Sequence, residues 1–261
     1  NTTIKTVYQC HDLHYVRMMR DYENTGNTDI LKKAQEWEKI ERKIFNAVDL
    51  GLTFSLDEKI LLQTDLPQAN VEQVPLFLYD ELETATTGFT ERDGMMFVGG
   101  FSHKPNAEGV LWFVENIMPQ VIAKYPDIKL YIAGNNVPND IETLASKNIV
   151  ILGFITDERL QALYQQVKVN ILPLLHGAGV KGKLIESMQT GTPVVSTSIG
   201  LEGIGASNYG FSGFDSKEEF TNEVIKLISC EYSWYMCQKA LSLAFASNFS
   251  VTEFNKPVRD I

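Results

Sequence analysis

The 261-residue chain has little cysteine, no long apolar run and fewer basic than acidic side chains. Its three cysteines (Cys10, Cys230 and Cys237) cannot all pair with one another, and none has the CxxC spacing of a zinc site. They predict reduced thiols, which are typical of the cytoplasm. Lys and Arg total 23 against 33 Asp and Glu, a net charge of −10. This balance argues against a nucleic-acid partner, because phosphate backbones are bound by clustered cations.

Membrane-spanning and secretion signals are also absent from the sequence. The longest apolar run, residues 167–175, includes Lys168 and Pro173 and is too short to cross a bilayer, so no transmembrane segment is expected. The N-terminus lacks the charged start and apolar stretch of a signal peptide. The chain begins with Asn1 rather than Met, and we expect it to start partway into a longer polypeptide. The predicted location is the cytoplasm, including the inner face of a membrane contacted peripherally.

What is present is an alternation of short apolar strands and amphipathic helices, with 44% hydrophobic residues overall. Because the strands are apolar along their whole length, both faces of the sheet should be covered, which predicts an α/β fold with a doubly wound parallel sheet. An acidic, Thr-rich stretch suggests a linker at 81–93 between a partial unit at 1–80 and a larger unit at 94–246, followed by a C-terminal segment at 247–261. Predicted strands are 4–10, 51–54, 71–76, 95–98, 129–133, 149–152, 167–172 and 193–197; predicted helices are 29–48, 57–62, 108–125, 141–146, 157–166 (capped by Thr156), 183–189, 217–228 and 232–246.

One glycine-rich loop between a buried strand and a helix predicts an anion site. Gly177, Gly179 and Gly182 allow close backbone approach, and the following helix start offers unpaired N–H groups with a positive dipole end. Lys181 and Lys183 add positive charge. Together these features favour a diphosphate ligand over a mere glycine-rich connection with solvated lysines.

Two known phosphate-binding patterns overlap this loop. Gly177-x-Gly179-x-x-Gly182 matches the dinucleotide fingerprint, but the next strand ends at Ser196 rather than at the acid that would bind a ribose. The spacing also matches most of a P-loop, yet Leu184 stands where a hydroxyl must reach magnesium. The P-loop interpretation therefore fails, and the dinucleotide interpretation stays open as an alternative.

Glu186 lies three residues beyond Lys183, so both side chains project from one side of the predicted helix. If Lys183 binds phosphate, Glu186 is placed to accept hydrogen bonds from ribose hydroxyls. The alternative is an acid stabilised by the helix dipole in the first turn.

Several segments of the sequence resemble retaining glycosyltransferases of the GT-B fold, of the family-4 type. The resemblance rests on FVGGFSHKPN (97–106), LYIAG (130–134), ILGF (151–154) and, most specifically, PLLHGAGVKGKLIESMQTGTPVV (173–195), which is similar to the donor-site signature of a variant with a GAGVKGK loop. It is weaker at HDLHYVRMMRDYE (11–23), which resembles the end of the acceptor-side domain. The resemblance implies a partial N-terminal acceptor-side domain and a Rossmann-like domain that binds a nucleotide sugar.

The resemblance implies transfer of a sugar from a nucleotide diphosphate to an acceptor hydroxyl of a glycan, lipid or protein, with retention of configuration. It implies no metal and no cofactor, because the UDP- or GDP-linked sugar is the substrate. The implied catalytic residues stabilise the leaving diphosphate and contact the donor. By position, the catalytic residues are Lys183, Glu186 and His11; the phosphate ligands are Gly100, Gly177, Gly179, Lys181, Gly182 and Lys183; the ribose ligand is Glu186; and the base contacts are Gly153, Phe154 and Ile155.

The sequence departs from the family pattern at two places. Ala178 stands where the family has the first of two glutamates, and Gly100-Phe101-Ser102 lacks the arginine that often follows the first glycine loop, for which Lys181 could compensate. Two further alternatives concern side-chain roles. The segment from His11 to His14 suits turn chemistry or a sugar contact better than a metal, and Phe154 could simply pack in the core.

Two other functional hypotheses remain beside the transferase. A non-catalytic sugar-nucleotide-binding or partner subunit would keep the fold and explain Ala178. An NAD-linked oxidoreductase would use the glycine fingerprint. Because only some 80 residues precede the predicted linker, we also expect a truncated acceptor-side domain, so that this chain binds donor and transfers sugar poorly.

Overall fold

The computed structural model describes residues 4–76 and 87–249, which form an α/β protein with two parallel sheets. The first sheet lies within the predicted N-terminal unit, and its three strands run in the order β1-β2-β3. Its elements are β1 (Val7–Cys10), α1 (His14–Thr25), α2 (Thr28–Ala47), β2 (Leu50–Thr53), α3 (Leu56–Asp65) and β3 (Val71–Gln73).

The second sheet lies within residues 94–246, and its five parallel strands run in the order β6-β5-β4-β7-β8. The strand order reverses between β4 and β7, and such a switch point opens a crevice at the carboxyl ends of the two strands where ligands bind. Its elements are β4 (Met95–Val98), α4 (Lys104–Asn116), α5 (Met118–Lys124), β5 (Leu130–Ala133), α6 (Asn139–Glu142), β6 (Ile149–Gly153), α7 (Asp157–Gln166), β7 (Val169–Leu172), α8 (Gly182–Thr190), β8 (Val194–Ser196), α9 (Lys217–Ser229) and α10 (Glu231–Asn248).

Both faces of this second sheet are covered by helices, as its apolar strands predicted. Side chains alternate along β4, so that Phe97 packs on the side of α4, α5 and α9 while Met96 packs on the side of α7. A further apolar cluster joins α8 and α10 through Leu184, Met188 and Phe245. The site loops therefore project from a sheet buried on both sides.

Most predicted elements are present with boundaries shifted by a few residues, and the predicted cap is confirmed, since the Thr156 side chain accepts from the Arg159 N–H. One prediction was wrong, and one helix was missed. The single helix expected at 108–125 is two helices separated at Ile117, because Pro119 supplies no N–H and lies in the first turn of α5. Helix α1 was not predicted at all.

The predicted linker at 81–93 and C-terminal segment at 247–261 lie partly outside the described residues. Of the linker, residues 87–93 are described: they contain a 3₁₀ turn at Phe89–Glu91, and Arg92 is fully buried. Arg92 donates to the backbone carbonyls of Tyr164 and Val167, so this end of the predicted linker packs into the second unit. Among the described residues, no helix is both long and apolar enough to cross a membrane.

Candidate functional site

The side chain of Lys183 lies in the crevice between β4 and β7, in the first turn of α8. Its Nζ donates to Asn106 Oδ1 at 2.7 Å and lies 4.3 Å from the centroid of the Phe97 ring. A Cβ added to Gly99 would lie 2.7 Å from this Nζ, so the glycine after β4 leaves room for the ammonium. The fold thus places a cation at the switch point, where ligands of such sheets bind.

The surroundings of Lys183 make its positive charge costly. Burial lowers the pKa of Lys183 from the usual 10.5 to about 7, the nearby charge of Lys181 lowers it further, and Glu186 raises it. A neutral amide and an aromatic ring are its direct neighbours. Because a bound anion would stabilise the ammonium form, the site favours an anionic ligand.

Glu186 projects from the same helix and is positioned from the neighbouring helix α7. Its Oε2 accepts a hydrogen bond from the Tyr164 hydroxyl at 2.9 Å. Helix α8 begins at Gly182 and has no acidic residue in its first turn, so the alternative of a first-turn, dipole-stabilised acid does not apply to Glu186. A carboxylate oriented in this way, one helical turn beyond the ammonium, can accept hydrogen bonds from a hydroxylated ligand.

The glycine loop before α8 adopts conformations that few other residues tolerate. Gly177 has a φ of 138° and Gly179 a φ of 71°, both in the region that favours glycine. No side-chain hydrogen bond caps the start of α8 at Lys181. The first amides of the helix, beginning with Gly182, are therefore suited to bind an anion.

Lys181 contacts the glycine loop and the carboxylate of Glu202. Its Nζ donates to the Gly179 carbonyl and lies 3.7 Å from Glu202 Oε2. Burial lowers the pKa of Lys181 to about 8, and the charge of Arg20 lowers it further, whereas Glu202 raises it. The phosphate-binding role of Lys181 stays a prediction, and it would require the ammonium to leave Glu202.

Gly100 is connected to Lys183 through Asn106, which was not among the predicted site residues. Asn106 donates its Nδ2 to the Gly100 carbonyl at 2.7 Å and accepts from Lys183 through Oδ1. Asn106 therefore bridges the loop after β4 and the first turn of α8. The signal in the sequence was its place in the KPN segment directly after the glycine loop.

The predicted base contacts lie at the end of β6. Gly153 has a φ of 63°, and the Phe154 side chain that follows is 77% exposed. Ile155 packs against the cluster that contains Met96 and Leu163. Phe154 therefore does not pack in the core, and its ring is accessible for stacking on a planar ligand.

His11 and His14 have different surroundings, although they lie on the same turn. The His11 ring packs edge-on against Phe54, with 5.3 Å between ring centroids. His14 Nδ1 lies 3.1 Å from Glu41 Oε1, and its ring stacks on Trp37 at 4.6 Å. His14 is thus held by Glu41 and Trp37, and His11 is the more exposed of the two histidines. Within residues 4–76 and 87–249, no three His, Cys, Asp or Glu side chains form a group that could bind a metal ion.

The turn with His11 faces the glycine loop across a cleft of about 440 Å³. Asp12 and Arg17 line it from the N-terminal side, and Ala178 and Gly179 line it from the other. The polar side chains of this cleft come from the N-terminal half, opposite the alanine that replaces the first family glutamate.

The comparisons with known proteins agree with the predicted fold. The chain is similar to a mutant of S. aureus TarM in complex with fondaparinux, alpha-GlcNAc-glycerol and UDP (TM-score 0.74, 14% identity, 98% of this chain and 50% of that chain). It is also similar to the pneumococcal O-GlcNAc transferase GtfA in complex with UDP and GlcNAc (TM-score 0.66, 14% identity, 98% and 51%). At such low identity these likenesses concern the fold, which is that of GT-B glycosyltransferases, as predicted.

Two curated relatives match part of the chain. An uncharacterized 44.6 kDa protein in the cps region of Klebsiella pneumoniae is 43% identical over 122 residues, which are 44% of this chain and 31% of that protein. An uncharacterized glycosyltransferase of Methanocaldococcus jannaschii is 29% identical over 113 residues, or 41% and 27%. The matched part thus spans about a third of these relatives or less.

The family model described as glycosyl transferases group 1 matches residues 92–230, more than half of the chain. The chain therefore belongs to the group 1 glycosyltransferase family.

Proposed function

We propose that this chain binds a nucleotide-diphosphate sugar at the β4–β7 crevice and belongs to an enzyme that transfers the sugar to an acceptor hydroxyl. The observation that carries the proposal is the Lys183 ammonium, buried beside the start of α8 with a lowered pKa and a neutral hydrogen-bond partner. A diphosphate supplies the negative charge that this position lacks.

The proposed chemistry is stabilisation of the leaving group. When the bond between the sugar and the diphosphate breaks, negative charge develops on the β-phosphate oxygens. Lys183 and the amides at the start of α8 are already placed to receive this charge, so little reorganisation is needed during the reaction. Loss of one such donor typically costs about 10²–10³ in rate.

The rest of the donor would extend along the carboxyl ends of the strands. Glu186, oriented by Tyr164, accepts hydrogen bonds from the ribose hydroxyls, and the exposed ring of Phe154 stacks on the base. UDP in the TarM and GtfA crystal structures supports a uracil base in the present chain, although GDP fits the same phosphate chemistry.

The sugar and its acceptor would meet in the cleft between the His11 turn and the glycine loop. In this arrangement His11 contacts the donor sugar from the N-terminal side, and the hydroxyl acceptor (a glycan, lipid or protein) enters from the same side. Retention of configuration and independence from metal ions are part of the proposal. Because the chain spans 50% of the length of TarM, sugar transfer by the whole protein is likewise part of the proposal.

Isothermal titration calorimetry of UDP, GDP, UDP-GlcNAc and NADH into the chain tests donor binding. We expect binding of UDP or GDP and their sugars, and no heat from NADH. Lys183→Met should weaken this binding by about 10- to 100-fold, as expected for loss of one charged hydrogen bond. Lys129→Met, at an exposed position before β5, is the matched control and should bind normally.

The outcomes separate the remaining hypotheses. Binding of NADH without UDP or GDP would favour the oxidoreductase. Nucleotide-sugar binding combined with absence of sugar transfer or donor hydrolysis by the longer protein would favour the non-catalytic subunit that Ala178 suggested.

A further inference from the structure

An arginine from the N-terminal half reaches the proposed donor loop. Arg20, in the middle of α1, donates Nη1 to the Gly177 carbonyl at 2.7 Å. The same guanidinium binds Glu202 through two hydrogen bonds, of 2.8 and 2.5 Å. One side chain of the first unit thus contacts two loops of the second unit.

The carboxylate of Glu202 is shared by two cations in a nearly dry environment. Its side chain is 13% exposed, and besides Arg20 it lies 3.7 Å from the Lys181 Nζ, which is itself 11% exposed. The hydrogen bonds to Glu202 raise the pKa of Arg20 above its usual value. Because this mostly buried carboxylate lies between two cations, separating it from Arg20 would leave its charge paired only with the more distant Lys181.

This arrangement constrains the shape of the glycine loop. The Gly177 carbonyl accepts from Arg20, and the Gly179 carbonyl accepts from Lys181. Two peptide groups of the loop are therefore anchored to one ion cluster, which consists of Arg20, Lys181 and Glu202. Glycines lose more conformational entropy than other residues when they are ordered. A glycine-rich loop therefore needs contacts from other residues to keep one conformation.

The loop that contains Glu202 also forms hydrogen bonds with the first unit. The next residue, Gly203, donates its N–H to Asp57 Oδ2 at 2.8 Å and accepts from the Leu56 N–H at 3.1 Å. A Cβ on Gly203 would lie 2.6 Å from Val180 Cγ2, so this loop packs closely on the glycine loop. The start of α3, the loop with Glu202 and the glycine loop therefore form one connected contact.

We propose that Arg20 is a positioning residue of the donor site: through the Gly177 carbonyl and Glu202 it fixes the glycine loop in its anion-binding shape from across the domain boundary. The inference rests on the proposed function, because it assigns the anchor of the same donor site. If Arg20 has this role, nucleotide affinity depends on a residue outside residues 92–230, the part of the chain that the family model matches.

The test is the UDP dissociation constant of the whole chain, measured calorimetrically well below the unfolding temperature of every variant. Arg20→Ala should weaken UDP binding by about tenfold or more, the size expected for a charged hydrogen bond. Arg20→Lys should be intermediate, since one ammonium can bind Glu202 but cannot reproduce the fork that also reaches Gly177. Arg42→Ala is the matched control, since it removes ion pairs to Glu38 and Asp65 on the first unit only.

The expected result is graded loss of affinity in the Arg20 variants with the control unchanged, even where both arginine substitutions lower the unfolding temperature. Folded Arg20→Ala with wild-type UDP affinity would overturn the inference while leaving donor binding intact. If Arg20→Ala does not fold, Glu202→Gln decides in the same way, because it keeps the side-chain shape and removes the shared charge. Failure of the wild-type chain to bind UDP or GDP would instead overturn the proposed function together with this inference.

Discussion

Among single residues, Lys183 shows how the energetic cost of burying a charged group indicates a binding site. Burying an ammonium beside a neutral amide and an aromatic ring destabilises the folded chain, and the pKa lowered to about 7 expresses that cost. Perturbed cations of this kind cluster at ligand sites, where the ligand compensates them. Three predictions concern individual side chains.

The first prediction concerns the pH dependence of donor binding. A bound diphosphate stabilises the protonated form, so the pKa of Lys183 rises on binding from about 7. The affinity for a nucleotide sugar should therefore be constant below that pKa and fall as pH increases above it, by up to tenfold per pH unit. Calorimetry of UDP-GlcNAc between about pH 6 and pH 9 measures this, and Lys183→Met should remove the Lys183 component of the slope. An equal slope in both proteins would contradict the assignment.

The second prediction concerns the stability of the unliganded chain. Between the folded pKa of Lys183, about 7, and its usual 10.5, the unfolded chain binds a proton that the folded chain does not. The free energy of unfolding of the wild type, relative to Lys183→Met, should therefore increase with pH in this window, by up to about 1.4 kcal/mol per unit. Urea denaturation of both proteins at several pH values tests this. Parallel stability profiles would show that Lys183 titrates normally.

The third prediction concerns Phe154, whose ring is 77% exposed. Because little apolar area is buried there, Phe154→Ala should change the unfolding temperature very little. Loss of stacking on the base should weaken UDP binding by about 2- to 10-fold, or roughly 0.5–1.5 kcal/mol. Leu243→Ala, which removes an exposed side chain from α10, is the control and should leave affinity unchanged. Wild-type affinity of Phe154→Ala would place the base elsewhere.

At the scale of elements, the sequence predicted the strands, the loops after them and the start of α8, because local signals encode them. Apolar runs marked β4 to β8, and Gly177, Gly179 and Lys183 marked the proposed anion site within a few residues of one another. Local spacing also related Glu186 to Lys183, although its partner Tyr164 lies on another helix.

Helix α1 was not predicted because the side chains that accept hydrogen bonds from its first N–H groups are distant in sequence. Leu13 stands at the cap position and forms no side-chain cap. Instead, the buried carboxylate of Glu41 accepts from the N–H groups of His14 and Tyr15, and Glu58 accepts from that of Leu13. Nothing near residue 13 indicates this arrangement, and the Arg20–Glu202 contact, 182 residues apart, was unpredictable for the same reason.

A fourth prediction concerns how the elements behind the site are joined. Arg92 is fully buried; it donates to the Tyr164 carbonyl at 2.9 Å and to Gln165 Oε1 at 2.9 Å, and it lies 5.2 Å from the Trp234 ring centroid. Arg92→Met removes these buried, charged hydrogen bonds and the contact with the Trp234 ring, so it should lower the free energy of unfolding by about 1.5–3 kcal/mol. Denaturant titration measures this.

The matched control is Arg159→Met on the exposed side of α7, which should change stability by less than about 0.5 kcal/mol. UDP affinity of folded Arg92→Met should stay within a few-fold of wild type. Equal stability of the Arg92 and Arg159 variants would contradict the structural role of Arg92.

At the scale of the whole molecule, the parallel sheet with its order β6-β5-β4-β7-β8 determines where a ligand can bind. The switch point between β4 and β7 brings Gly99, Asn106 and Lys183 together from separate segments. The first sheet contributes the His11 turn and Arg20 to the opposite side of the glycine loop. The proposed donor site is thus formed by the second unit and positioned by the first.

A crystal structure of the chain with UDP tests the proposed donor site most directly. We expect the β-phosphate at hydrogen-bonding distance from Lys183 Nζ and the first amides of α8, with the ribose hydroxyls on Glu186. A nucleotide bound away from the β4–β7 crevice, with Lys183 still on Asn106 alone, would contradict it.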